Sequence, residues 1–137
     1  MPKNFINKSL NNKPDISNRQ DLLFLMQEFY KKLLADSSIS YLFTDIARID
    51  LEHHLPVLVD FWDNILFDAD SYRKNAMQPH MTLHAQSPIE DHHFETWLTY
   101  FKATVDENFE GKKAFQAKER ATSIATIMKI KVKQAGK

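Results

Sequence analysis

Apolar residues recur along this chain at intervals of three and four, and nowhere do they alternate with polar ones over the length of a strand, so the pattern predicts helices and no sheet. Leu22, Leu25, Met26, Phe29 and Leu33 share one face, widened by Tyr30 and Leu34. They predict an amphipathic helix over roughly 17–36, opened by Ser17-Asn18-Arg19-Gln20, which reads as a capping box. The stretch Asp36-Ser37-Ser38-Ile39-Ser40 reads as a break, and Tyr41-Leu42-Phe43 as a short apolar turn beyond it. Asp50 is an N-cap candidate for a third element carrying Leu51, Leu55, Leu58, Val59, Trp62 and Leu66, closed by Asp68-Ala69-Asp70-Ser71. Pro56 inside it predicts a kinked first segment or a later true start, since its missing N–H removes one rung of the ladder.

Ala76, Met77, His80, Met81 and His84 then recur at helical spacing, and Pro79 limits them to a short helix that starts nearby. Ser87-Pro88 ends it and opens the next, in which Phe94, Trp97, Leu98, Phe101 and Val105 define a strong helix halted near Gly111. A last helix, roughly 112–133, carries Ala114, Ala117, Ala121, Ile124, Ala125 and Met128, several of them small enough to let a partner helix come close. The expected organisation is a flexible arm over 1–16 with no chemistry assigned, one all-α domain over 17–133, and a tail over 134–137.

Composition narrows the function classes. Ten Phe, four Tyr and two Trp in 137 residues are a rich supply of flat apolar surface. Lys+Arg and Asp+Glu balance at 18 each, which argues against nucleic acid. The chain has no Cys, so any metal ligands come from His with Asp or Glu, and its two Gly exclude a Gly-rich phosphate loop. The longest apolar runs, Leu22 to Met26 and Leu55 to Val59, fall far short of a membrane span or a signal-peptide core, and a cytoplasmic protein is expected.

Four of the six His fall within residues 80–97. His80 and His84, one turn apart, suit two ligands of one metal; alternatively one binds a haem iron, which needs a single protein nitrogen, and the other sits at the rim. A haem also needs a wide apolar slot and a few polar groups on its other face, for which Phe29-Tyr30, His54 with Leu58 one turn on, and Trp97 are available. His53, His84, His92 and His93 are assigned mainly to surface or rim, Phe29 and Phe43 to the core, and Lys112, Lys113, Lys129, Lys131 and Lys133 to solvated faces.

The order Phe29-Tyr30, Phe43, His54, Phe61-Trp62, Tyr72, Met77, His80, Leu83 and Phe94-Glu95-Thr96-Trp97-Leu98 resembles that of the group III truncated haemoglobins, over roughly residues 17–130. The resemblance implies a shortened globin fold, two helices over two around haem b. It makes His80 the proximal iron ligand, because the family places that histidine eight residues after the loop tyrosine, here Tyr72. It makes Tyr30, His54, Leu58, Trp97 and Phe29 the distal ligand-binding set and Phe43, Met77 and Leu83 haem-pocket residues, with Arg73 and Tyr72 as propionate partners. The family often has Gly and Pro two and four residues after that tyrosine, where this chain has Lys74 and Ala76. The implied partners are O2, CO and NO at a five- or six-coordinate iron, with NO-detoxifying or peroxidase-type chemistry and an unidentified reductase as extensions. Two other readings stay open: a non-haem metal site from His80, His84 and either Glu90 or His92, and a cofactor-free helical module that binds another protein.

Overall fold

A computed structural model describes residues 12–68, 80, 81, 83, 84 and 87–135, and every described regular element is helical. The helices are α1 Arg19–Ala35, α2 Ser37–Tyr41, α3 Leu51–Phe67, α4 Asp91–Asn108 and α5 Lys112–Ala135, with residues 80, 81, 83 and 84 also helical between α3 and α4. The expected two-over-two arrangement is present: α1 lies against α3, α4 against α5, and the pairs join through α1 with α4 and α3 with α5.

Helix α1 begins one residue later than the sequence signature suggests. Asn18 is the N-cap, its side chain accepting from Asp21 N, while the Asp21 carboxylate accepts from Ser17 N. The N-cap is therefore present one residue later than expected, but the reciprocal bond goes to Ser17 N and not to the Asn18 amide, so the expected capping box is not closed. The expected break at 36–40 shrinks to Asp36 alone, which ends α1 and caps α2 by accepting from Ser38 N. Beyond α2 the backbone widens: Ala47 N donates to Leu42 O and Ile49 N to Phe43 O, longer-range bonds than those of an α-helix. This loose corner carries Leu42, Phe43 and Ile46 inward.

Asp50 caps α3 as expected, and the helix runs through Pro56 without a later start. Pro56 is exposed, as is Glu52, whose carbonyl loses its partner, so water can replace the missing rung. On the inner side Trp62 stacks on Phe101, with ring centres 4.9 Å apart, and Phe101 stacks in turn near Trp97 while Phe29 meets both edge-on. These four rings tie α1, α3 and α4 together through offset and edge contacts, each worth about 0.5–1.5 kcal/mol beyond its buried area. Arg19 forks between Asp60 and Asp63 across α1 and α3.

Along α5, Ala114, Ala117, Ala121 and Ala125 are all buried, the small-residue stripe expected for close helix approach. Its start is fixed from far away. Asp15 accepts from Lys113 N and Ala114 N through its two carboxylate oxygens, and Glu110 N donates to Pro14 O. Gly111, at φ +131°, lies so close to Asp15 that a Cβ there would sit 2.7 Å from its Cγ. Ile16 is buried, so the packed domain takes in Pro14–Ile16, earlier than the boundary at 17 read from composition. Lys113, expected on a solvated face, instead donates from Nζ to Leu66 O and lies over the Phe67 ring. Among the described residues no helix is long and apolar enough to cross a membrane.

Candidate functional site

Between the two helix pairs lies a cavity of about 490 Å³, to which every described helix contributes. From α1 come Met26, Phe29 and Tyr30; from α2 and the loose corner, Ile39, Leu42, Phe43, Ile46, Ala47 and Ile49. Helix α3 adds His54, Val57, Leu58, Phe61 and Trp62, while α4 adds His93, Phe94 and Trp97. His80 and Leu83, Ile89, and the α5 residues Ile124, Ala125 and Met128 complete it. Tyr30, His54, Trp97, Leu58, Phe29, Phe43, His80 and Leu83, scattered over more than fifty positions of sequence, thus share one enclosure. Met77, Tyr72 and Arg73 lie outside the described residues.

Helical spacing explains the convergence. Phe29 and Tyr30 fall on the buried stripe of α1, and His54 and Leu58, four apart, fall on one face of α3. Tyr30 Oη and His54 Nε2 are hydrogen-bonded at 2.9 Å, and the Tyr30 ring also meets Phe43 edge-on. Burial pushes the Tyr30 phenol well above its ordinary pKa, so the hydroxyl stays protonated. His54 is shifted the other way: burial first, then the proximity of His80, disfavour its cation and keep the imidazole neutral. The cavity therefore holds an uncharged phenol–imidazole pair with a second imidazole, His80, in the same lining.

His84 does not line the cavity; its Nδ1 accepts from Ile89 N at 3.0 Å. That bond uses one of the nitrogens a two-histidine metal site would need. Among the described residues no three His, Asp or Glu side chains converge as metal ligands, so the non-haem reading built on His80, His84 and Glu90 or His92 finds no support there.

His93 departs from its expected place at the surface or rim: it is 2 % exposed and lines the cavity. Third in α4, it takes the position usually held by Glu or Gln in a capping box, its Nδ1 accepting from Glu90 N at 2.9 Å. With Nδ1 as acceptor, the neutral ring carries its proton on Nε2, which lies 3.0 Å from Tyr41 Oη on α2. Burial and the adjacent His92 lower its pKa, outweighing Glu90 and the Ser38 backbone, which act in the opposite sense. His53 and His92 are exposed, as expected. The signal for His93 was present in the sequence as an N-terminal third position, but an imidazole there is an unusual cap. The corner residues Ile46, Ala47 and Ile49 carried no helical periodicity and were missed for that reason.

Residues 15–133 match the bacterial-like globin family. The fold is similar to that in a crystal structure of group III truncated hemoglobin from Campylobacter jejuni, with a TM-score of 0.76 and 22% sequence identity over 88% of this chain and 94% of that one. No curated protein sequence matches the chain.

Proposed function

The chain belongs to the bacterial-like globin family, and from that premise we propose that it is a truncated haemoglobin of group III type, holding haem b through the His80 imidazole and taking O2, CO or NO beside Tyr30 and His54. The observation that carries this reading is the shared cavity, whose lining joins His80 to the hydrogen-bonded Tyr30–His54 pair. A volume of about 490 Å³ lies within the range of small-molecule pockets, and the walls are apolar apart from a few side chains. Those few are the kinds a haem requires: a neutral imidazole to ligate and uncharged hydrogen-bonding groups elsewhere. The residues fit the group.

A bound haem supplies the iron at which a diatomic gas ligates; the protein supplies the rest. Phe29, Phe43, Leu58 and Leu83 exclude water from the slot, while Trp97 backs it with an indole braced on Phe101. Tyr30 and His54 share one hydrogen bond that can run in either direction. With the His54 proton on Nδ1, the Tyr30 hydroxyl donates to Nε2 and its proton is occupied. With the proton on Nε2, His54 donates to Tyr30 Oη, and the phenol O–H is free to turn toward a guest. A polar guest such as O2 favours the second state, since it gains a donor; CO, less polar, gains less. Because burial keeps Tyr30 protonated, this donor persists through neutral pH.

Reconstitution of the apoprotein with haem tests the reading. The wild type should give an intense Soret band that moves on adding CO, His80→Gly should lose both until imidazole is supplied, and His84→Gly should keep both. If His80→Gly retains the band and the CO shift without imidazole, residue 80 is not the ligand.

A further inference from the structure

We propose that Tyr100 is a surface outlet for oxidising equivalents, where a small electron-rich arene bearing an O–H or N–H, a phenol or an aniline, gives up one electron and one proton toward a hydroperoxide reduced in the cavity. The inference rests on the haem reading above.

Helix α4 is a wall between two hollows. His93, Phe94 and Trp97 line the cavity, while Glu95, Thr96, Thr99 and Tyr100, together with Asp36, line a second, more open hollow of about 230 Å³. Trp97 and Tyr100 are three apart on this helix, a spacing that makes side chains neighbours, with Cβ atoms ~5–6 Å apart. An indole and a phenol are among the side chains most readily oxidised, and here one belongs to the inner lining and the other to the outer. Phe101, on which Trp97 stacks, is a far poorer electron donor, so an electron deficit on Trp97 moves to Tyr100.

The phenol needs a proton acceptor, because an oxidised tyrosine is a strong acid and forms at low cost only if its proton leaves with the electron. Asp36 supplies one. Tyr100 Oη donates to Asp36 Oδ2 at 2.7 Å, while Oδ1 accepts from Ser38 N and Ser38 Oγ. Those bonds, the one from Tyr100 foremost, hold the Asp36 carboxyl below its ordinary range, so it is ionised and able to accept. The other described phenols lack this combination. Tyr41 Oη lies against His93 Nε2, on a ring whose second nitrogen already accepts from Glu90 N. Tyr30 has an imidazole partner but is 5 % exposed, out of reach of a donor outside.

The hollow sets the substrate class. At about 230 Å³ it is smaller than the usual ligand pocket of roughly 300–1,000 Å³, which limits a guest to about one ring. Its lining offers two carboxylates and two threonine hydroxyls; Lys129 stands 3.8 Å from Glu95 but is not part of the lining. Anions are therefore disfavoured, while O–H and N–H donors find acceptors. In the balanced reaction two arenes lose one hydrogen atom each and the O–O bond of one hydroperoxide breaks. The products are an alcohol (water, from hydrogen peroxide), a water and two arene radicals. For each arene, one electron passes from Tyr100 through Trp97 to the oxidised pigment and the phenol proton passes to Asp36. The arene then returns a hydrogen atom to the Tyr100 oxygen, re-forming its O–H, and Asp36 releases its proton to water. The two protons so released match the two that the peroxide consumes.

The test adds hydrogen peroxide to the haem-loaded protein with a nitroso spin trap, locates the adduct by peptide mass spectrometry, and measures in parallel the rate of p-phenylenediamine oxidation. Wild type should carry the adduct on Tyr100, and Trp97→Phe should lose it from there. Tyr100→Phe should keep the Soret band and its CO shift, yet lose most of the amine oxidation. Asp36→Asn retains a capping side chain and an acceptor for the Tyr100 hydroxyl but takes up no proton. It should slow amine oxidation by about 100-fold, the low end of what a positioned proton acceptor contributes. Ferrocyanide, an anion, should be oxidised equally by wild type and Tyr100→Phe. An adduct absent from Tyr100 in wild type would overturn the proposal, as would amine oxidation in Tyr100→Phe or Asp36→Asn as fast as in wild type. Ferrocyanide oxidation that depends on Tyr100 would overturn the substrate class. Wild type that takes up no haem would sink the haem reading and this inference together, a result visible in the Soret region before any peroxide is added.

Discussion

Tyr30 Oη lies 2.9 Å from His54 Nε2, a bond between α1 and α3 made inside the cavity rather than across the helix surface. It couples the only buried phenol of the described residues to a histidine that burial keeps neutral. Whichever group donates, the other's state depends on it, and the pair should behave as a unit toward a polar ligand.

Tyr30→Phe should therefore raise the rate of oxygen release from the haem-loaded protein by about 10- to 100-fold, the effect of losing a hydrogen bond worth roughly 1.5–3 kcal/mol. CO release should change much less. Combined with His54→Leu, the effects should fall short of additivity, because removing either partner already disrupts the shared bond. Stopped-flow ligand replacement on the four proteins of this cycle gives the answer; full additivity would mean that the two residues act independently.

His54 and His93 both have pKa values held below the ordinary imidazole value of about 6.5 by burial. The unfolded chain then binds more protons than the folded one as pH falls below that value, so their contribution to stability is complete above it and is lost as pH drops through the lowered folded values. Protonating His93 also puts a proton on the Nδ1 that accepts from Glu90 N, with His92 alongside adding repulsion. Urea midpoints of the apoprotein should decline as pH falls below about 6.5. His93→Gln, which can retain a capping box without titrating, should flatten part of that decline. A slope that Gln leaves untouched would assign the effect elsewhere.

Asp15→Ala should destabilise the fold by about 1–2 kcal/mol, the usual cost of a lost N-cap. Burial alone would raise the Asp15 carboxyl, but the amides of Lys113, Ala114 and Ile16, with the Lys113 charge, hold it below its ordinary value. Its contribution should accordingly be present above about pH 3.9 and disappear as pH falls through its lowered folded value. Denaturation of wild type and Asp15→Ala should converge in acid. Gly111→Ala should destabilise as well, through the Asp15 clash and the φ of +131°.

Ala121→Leu, at a position with no exposed surface on α5, should cost about 1–3 kcal/mol by overpacking the helix interface. Ala135→Leu, exposed at the end of the same helix, should be near neutral. Comparable thermal shifts in the two variants would contradict the close packing of this stripe.

Much of this architecture was legible because it is periodic. The stripes of α1, α3, α4 and α5 are local patterns, and the residues expected around a haem come together because those stripes share one interior. What escaped was non-local or borrowed. Asp36 ends one helix and begins the next, so a break five residues wide on paper occupies one. His93 is buried because its ring completes a cap that usually belongs to another residue type. The cavity lining at Ile46, Ala47 and Ile49 sits on a widened helical turn and the residues that end it, where the ordinary three-and-four spacing of apolar residues carries no signal.

The carboxylate of Asp15 meets an amide 98 positions further along the polypeptide. Bringing such distant partners together carries a large entropy cost that only a nearly assembled chain can offset, so this junction should close among the last during folding. Slow deuterium uptake at the Lys113 and Ala114 amides would then serve as a gauge of finished molecules, telling them from collapsed ones in which every helix is present but the ends have not yet been tied.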